Sequence, residues 1–136
     1  MDHLAALAGG EPLRPVYLLA GSEPLRVLEA AEAIRAAARA QGIGEREVHD
    51  MEGRDADWDA LSASIHAPSL FASRRLIELR LPTGKPGNEG AKVISGFCAQ
   101  PPADVVLVVI AGEWSKAHAG KWSEAVERTG YAVVFW

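Results

Sequence analysis

The chain has 136 residues, 49% of them apolar and 24% charged, and a formal net charge of −4. That suffices for the core of one domain and is too short for two; the acidic balance, with basic residues scattered among acidic ones, lacks the footprint of a phosphate-backbone binder. Cys98 is the only cysteine, which excludes a disulfide framework or a zinc knuckle and suits a reducing cytosol. Residues 1–10 lack the cationic start of a signal peptide, and the longest apolar run, 105–111, is too short to cross a bilayer.

In chain order, residues 15–21 predict a buried strand that ends at a glycine. Ser22 is the expected N-cap of the following helix, with Pro24 in its first turn. Leu25, Leu28, Ala31, Ile34 and Ala38 recur at helical spacing until Gly42 stops the run. Residues 46–51 read as a weaker second strand. Asp55 or Asp57 then caps a short helix that carries Trp58, Leu61 and Ile65 on one face and stops at Pro68.

Directly after that proline comes Ser69-Leu70-Phe71-Ala72-Ser73-Arg74, two large apolar residues where a polar connection is expected. The pair either awaits burial by a partner or tucks back under the sheet edge, and the residues alone leave both readings open.

Residues 75–81 predict a third strand, and a turn-rich connection over 82–88 leads to a helix with Val93, Ile94 and Phe97 inward. Residues 104–111 form the most apolar strand and the best candidate for the sheet centre. A helix over 115–128 and a last strand over 131–136 complete the series. Five strands alternating with four helices imply a three-layer α/β domain, a parallel sheet with helices on both faces. A chain ending on an apolar strand with no polar tail points to a fragment of a longer protein.

Sheets of this class commonly hold a nucleotide at the carboxyl ends of their strands. Here the first turn, Gly21-Ser22-Glu23-Pro24, has no lysine, carries an acidic residue and includes a proline without an amide hydrogen. Gly84-Lys85 is followed by Pro86 and reads as a loop. No acid stands at the end of the third or fourth strand to organise magnesium, since Glu113 is displaced into the loop. His3, His49, His66 and His118 are isolated and read as surface or boundary residues rather than metal ligands. Trp58 and Trp122 read as core residues, whereas Trp114 beside Lys116 stays open between packing and stacking on a base.

Several segments together carry a family resemblance: Val16-Tyr17-Leu18-Leu19-Ala20-Gly21 with Glu23-Pro24-Leu25, then Ala40-Gln41-Gly42, Asp57-Trp58-Asp59-Ala60, Ser69 to Arg74, and the stretch holding Lys116, Trp122 and Ala125. In this order they resemble the amino-terminal domain of the delta subunit of bacterial DNA polymerase III, over almost the whole chain. The most specific segment is Ser69-Leu70-Phe71-Ala72-Ser73-Arg74.

The resemblance implies an AAA+/RecA-like (P-loop NTPase-like) fold with a degenerate nucleotide site, spanning 1–136 as one domain of a three-domain subunit. It implies a clamp-loader component of the replication holoenzyme, cytoplasmic, without catalysis or cofactor of its own. Its partner is the beta sliding clamp, gripped by a hydrophobic plug that helps the ring to open. By position the plug is Leu70 and Phe71, with Ser69 and Ala72 shaping the tip and Arg74 and Arg75 as candidate rim contacts. The other loader subunits, gamma/tau and delta prime, are met through carboxyl-terminal parts, DNA only within the assembled loader, and no membrane is involved. Two other classes remain: a nucleotide-dependent enzyme with an unrecognised phosphate loop, and a DNA-contacting domain using the tryptophans with Lys85, Lys92, Lys116 and Lys121.

Overall fold

In the computed structural model, described over residues 3–51, 56–67 and 74–135, the elements run α1 (His3–Ala8), β1 (Val16–Gly21), α2 (Pro24–Ala40), β2 (Glu45–Asp50), α3 (Trp58–His66), β3 (Arg75–Leu81), α4 (Gly87–Ala99), β4 (Val105–Ala111), α5 (Lys121–Thr129) and β5 (Tyr131–Phe135). The strands form one parallel sheet in the order β2-β3-β4-β1-β5. The most apolar strand, β4, lies at its centre, between β3 and β1. Strands buried on both faces need continuous apolar runs, which β1 and β4 have, whereas β3, buried except at Arg80, carries Arg75 and Glu78 among its apolar residues. Strand β2 alternates half-buried with exposed residues, as an edge strand does.

Alternation along the strands divides the core in two. Val16, Leu18 and Ala20 of β1 and Leu107 and Val109 of β4 face α3, α4 and α5, meeting Leu61, Ile65, Ile94, Phe97, Trp122 and Val126. Tyr17, Leu19, Val106 and Val108 face α1 and α2, meeting Leu7, Val27, Ala30, Ile34 and Ala37. The molecule is thus the expected three-layer α/β arrangement.

Local details depart from the sequence reading. Helix α1 has no counterpart in it; Leu7 seats this short helix on the core. Helix α2 is capped at Glu23 rather than Ser22, with no side-chain capping bond. Its buried stripe runs through Val27, Ala30, Ala31, Ile34, Ala37 and Ala38, which leaves Leu25 at 67% and Leu28 at 51% exposure. The small alanines of this stripe pack against the sheet. Asp57 caps α3, its carboxylate accepting the Ala60 N–H at 2.9 Å; Asp55 lies outside the described residues. Helix α5 starts at Lys121, six residues later than expected, because Ser115 N–H donates to His118 Nδ1 at 2.8 Å and folds the preceding stretch into a turn. Ile94 and Phe97 are buried as expected, Val93 is half-buried, and Cys98 joins them. Trp136 lies outside the described residues.

Candidate functional site

The crevice at the carboxyl ends of the strands is the place to test for a nucleotide. Gly21 ends β1 with φ at 128°, and a Cβ there would stand 2.0 Å from the Phe135 carbonyl oxygen. The glycine is therefore required by the close approach of β5. Beyond it, Glu23 and Pro24 open α2, so the first turn presents a carboxylate and lacks one amide donor. The adjoining cavity, about 280 Å³, is walled by Pro24, Val27, Leu28, Ala31 and Ile110, with Arg35 and Arg80 at its rim. Arg35 is committed to Glu78, and Arg80 lies 3.9 Å from Asp50. These residues do not fit the phosphates of a nucleotide. The Gly84-Lys85 segment is a tight turn: Gly84 N–H donates to Leu81 O at 3.0 Å, and a Cβ on it would lie 2.1 Å from Glu113 O.

The plug residues Ser69, Leu70, Phe71 and Ala72 lie outside the described residues, as do Pro68 and Ser73. The elements on either side are described in full. Helix α3 ends at His66 with Ala67 as its C-cap, and β3 begins at Arg75, next to the half-buried Arg74.

Arg75 is only 3% exposed, which corrects the expectation of a rim contact. Its guanidinium turns inward: Nη2 donates to Ala67 O at 2.9 Å and Ile65 O at 3.3 Å, and Nη1 to Glu47 Oε1 at 3.2 Å. The remaining oxygen of Glu47 accepts from the Ser64 hydroxyl and lies 3.4 Å from His49 Nε2. Partial burial pushes the Glu47 carboxyl up, but the hydrogen bonds from Ser64 and His49 and the charge of Arg75 outweigh it and hold it below its usual value.

The other residues singled out from sequence fall into packing roles. Trp58 and Trp122 are buried, at 7% and 5% exposure. Trp114 is half-buried; it meets Trp122 edge-on, centroids 5.6 Å apart, and stacks on His118 at 5.7 Å. His3, expected as a surface or boundary residue, is buried: Nδ1 bonds Glu11, and Nε2 lies 2.6 Å from the Tyr17 hydroxyl, which also accepts the Arg14 N–H at 2.9 Å. Burial raises the Tyr17 phenol to about 12. His66 is exposed with Nδ1 2.8 Å from Ser62 O. Lys85, Lys92, Lys116 and Lys121 are exposed on loops and helices. Among the described residues no cluster of three or more metal-ligating side chains occurs.

Sequence reasoning missed Glu78. This carboxylate is 1% exposed, on the α2 side of β3, and receives Arg35 Nε at 2.8 Å and Arg46 Nη2 at 3.2 Å. Its signal was a lone acid inside the apolar run Leu76-Ile77-Glu78-Leu79.

A family model described as DNA polymerase III, delta subunit, matches residues 17–134. The chain belongs to the DNA polymerase III delta subunit family. The delta subunit of Escherichia coli is 36% identical over 110 residues, which are 79% of this chain and 31% of that protein. That of Haemophilus influenzae is 34% identical over 70 residues, 52% of this chain and 20% of that protein. The chain thus spans less than a third of the length of these delta subunits. Among solved structures, the clamp loader delta protein of Bacillus subtilis superposes with a TM-score of 0.75 at 21% identity, over 96% of this chain and 40% of that one. A gamma subunit-related protein of DNA polymerase III from Thermotoga maritima gives 0.56 at 14% identity, over 99% of this chain and 46% of that one. The delta and gamma-related proteins thus share this five-stranded α/β architecture.

Proposed function

We propose that this chain is the AAA+-like amino-terminal domain of a clamp-loader delta subunit, residues 1–136 being one domain of a longer protein. It binds the beta sliding clamp through Leu70 and Phe71, with Ser69 and Ala72 shaping the tip, and helps the ring to open during DNA replication. It hydrolyses no nucleotide itself; the polymerase activity of the holoenzyme belongs to other subunits. Gamma/tau and delta prime are its loader partners, it meets DNA only within the assembled loader, and it works in the bacterial cytoplasm. Among the described residues no helix is long and apolar enough to cross a membrane.

The observation that carries this reading is the family match over residues 17–134, which encloses an apolar pair directly after the α3 segment. Burying a leucine and a phenylalanine contributes about 1.5–3 kcal/mol each, enough for two side chains to change affinity by two to four orders of magnitude. Ring opening follows if the domain binds an open or strained clamp interface better than a closed one, because binding shifts an equilibrium only through differential affinity.

The test is binding to a bacterial sliding clamp by the chain and by its Leu70→Ala, Phe71→Ala variant, with folding checked by thermal unfolding. Binding is expected to fall roughly 100-fold or more in the folded variant. Equal binding by both proteins would move the site elsewhere.

A further inference from the structure

The cavity at the carboxyl ends of β1, β3 and β4 does not suit phosphate, yet it lies where sheets of this class place their ligands. Ile110 lines it from β4 and stands beside Arg80 in the register of β3 with β4. Helix α2 walls it with Val27, Leu28 and the short Ala31. Leu28 is exposed at this wall, and Leu25, one helical turn earlier on the same face, is exposed as well. Exposed leucines that adjoin an apolar cavity mark a surface that another molecule covers.

The two guanidiniums at the rim are in different states. Arg35 is saturated: Nε and Nη2 donate to Glu78, and Nη1 donates to Glu32. Arg80 is exposed, and its ion-pair partner among the described residues is the exposed Asp50 at 3.9 Å. A solvated pair at that distance is weak, so a carboxylate arriving at the mouth can take the place of Asp50. The cavity therefore combines an apolar interior with one cation open to exchange.

Its size narrows the occupant. At about 280 Å³ it falls just under the roughly 300–1,000 Å³ of pockets that enclose a small-molecule ligand, whereas a benzene ring needs only about 150 Å³. One leucine or phenylalanine side chain fits. We propose that this cavity is a docking site for a protein segment that presents one large apolar side chain next to a carboxylate. The apolar side chain enters between α2 and Ile110, the carboxylate pairs with Arg80, and Leu25 and Leu28 are covered by the rest of the segment. None of these residues belongs to the candidate clamp-binding pair, so the site stands whatever Leu70 and Phe71 do.

The experiment titrates the isotopically labelled chain with acetyl-Gly-Phe-Asp-Gly-amide and with its Asn counterpart, following backbone amide shifts by NMR. The Asp peptide is expected to bind with a Kd on the order of 1 mM and to move the amides of Val27, Leu28, Ile110 and Gly112. The Asn peptide should bind roughly fivefold more weakly, and Arg80→Gln should bind both peptides equally, at the weaker value. Leu28→Asn should weaken both peptides alike. Thermal unfolding checks the fold of each variant, and the comparison of the two peptides on the parent chain needs no variant at all. No saturable shift at these amides up to about 10 mM peptide would overturn the proposal, as would equal binding of the two peptides by the parent. If 3-phenylpropionate binds at the same amides more than about tenfold tighter than the Asp peptide, the cavity serves a free small acid and the docking proposal fails. Movement of the same amides on concentrating the chain alone would assign the cavity to a second copy and overturn it likewise.

Discussion

Replacing Glu78 by glutamine should cost this protein much of its stability at neutral pH and almost none of it in acid. Glu78 sits at 1% exposure between Arg35 of α2 and Arg46 of β2, and Arg35 also pairs with Glu32. Burial alone would raise its pKa, but the hydrogen bonds and charges of the two arginines prevail and bring it from 4.5 to about 2. The hydrogen bonds that Arg35 donates to Glu78 raise the Arg35 guanidinium in the complementary direction. A depression of this size corresponds to about 3 kcal/mol, and removing one partner of a buried ion pair costs about 3–5 kcal/mol, so the two routes agree.

Because the folded state binds the proton of Glu78 less readily than the unfolded chain, this stabilisation is present in full above the unfolded value of 4.5 and disappears as pH falls toward 2. Glu78→Gln should therefore unfold about 3 kcal/mol more easily near pH 7, roughly 10 °C lower in thermal midpoint. The gap should close as both proteins are titrated from about pH 5 to pH 2. Urea unfolding followed by circular dichroism at a series of pH values measures it directly. A gap below about 1 kcal/mol at neutral pH, or one that stays constant down to about pH 3, would refute the reasoning.

The packing of α4 on α3 gives a second prediction. A Cβ on Gly90 would lie 2.4 Å from Trp58 Cζ2 and 2.7 Å from Pro86 Cβ, so Gly90→Ala must displace a buried indole. Overpacking costs about 1–3 kcal/mol against about 1 kcal/mol of helix propensity gained. The variant should be less stable in urea with altered tryptophan fluorescence, and a stabilised variant would contradict the packing. Cys98 gives a third: burial pushes its thiol up to about 11 from 9.0. At pH near 8 the folded protein should react with a disulfide reagent about 100-fold more slowly than the urea-unfolded chain, from the thiolate fraction alone. Equal rates would mean that the thiol is open to solvent.

The architecture was legible from local signals. The run over 75–81 became β3 with the same bounds, the strand expected over 104–111 became the sheet centre, and the unsuitability of Gly21-Ser22-Glu23-Pro24 for phosphate was visible in residue types alone. Periodicity carried these because it reports which faces are buried. It misled where helical spacing fits two stripes: Leu25 and Leu28 match the period of α2, yet the alanine-rich stripe meets the sheet and both leucines face outward. The candidate tip was legible only as an apolar pair in an unexpected place, and its residues lie outside the described structure.

The sequence by itself determined the class of fold, the sheet order's most buried member and the family, because those follow from continuous apolar runs and from residues read in chain order. Only the tertiary structure decided that Arg75 turns inward to hold the end of α3, that His3 is buried against Tyr17, and that Glu78 is clasped by two arginines. Arg35 and Glu78 are 43 residues apart in the chain. Whether a charged side chain is solvated or buried depends on which distant residue the fold brings opposite it, and no local pattern contains that partner.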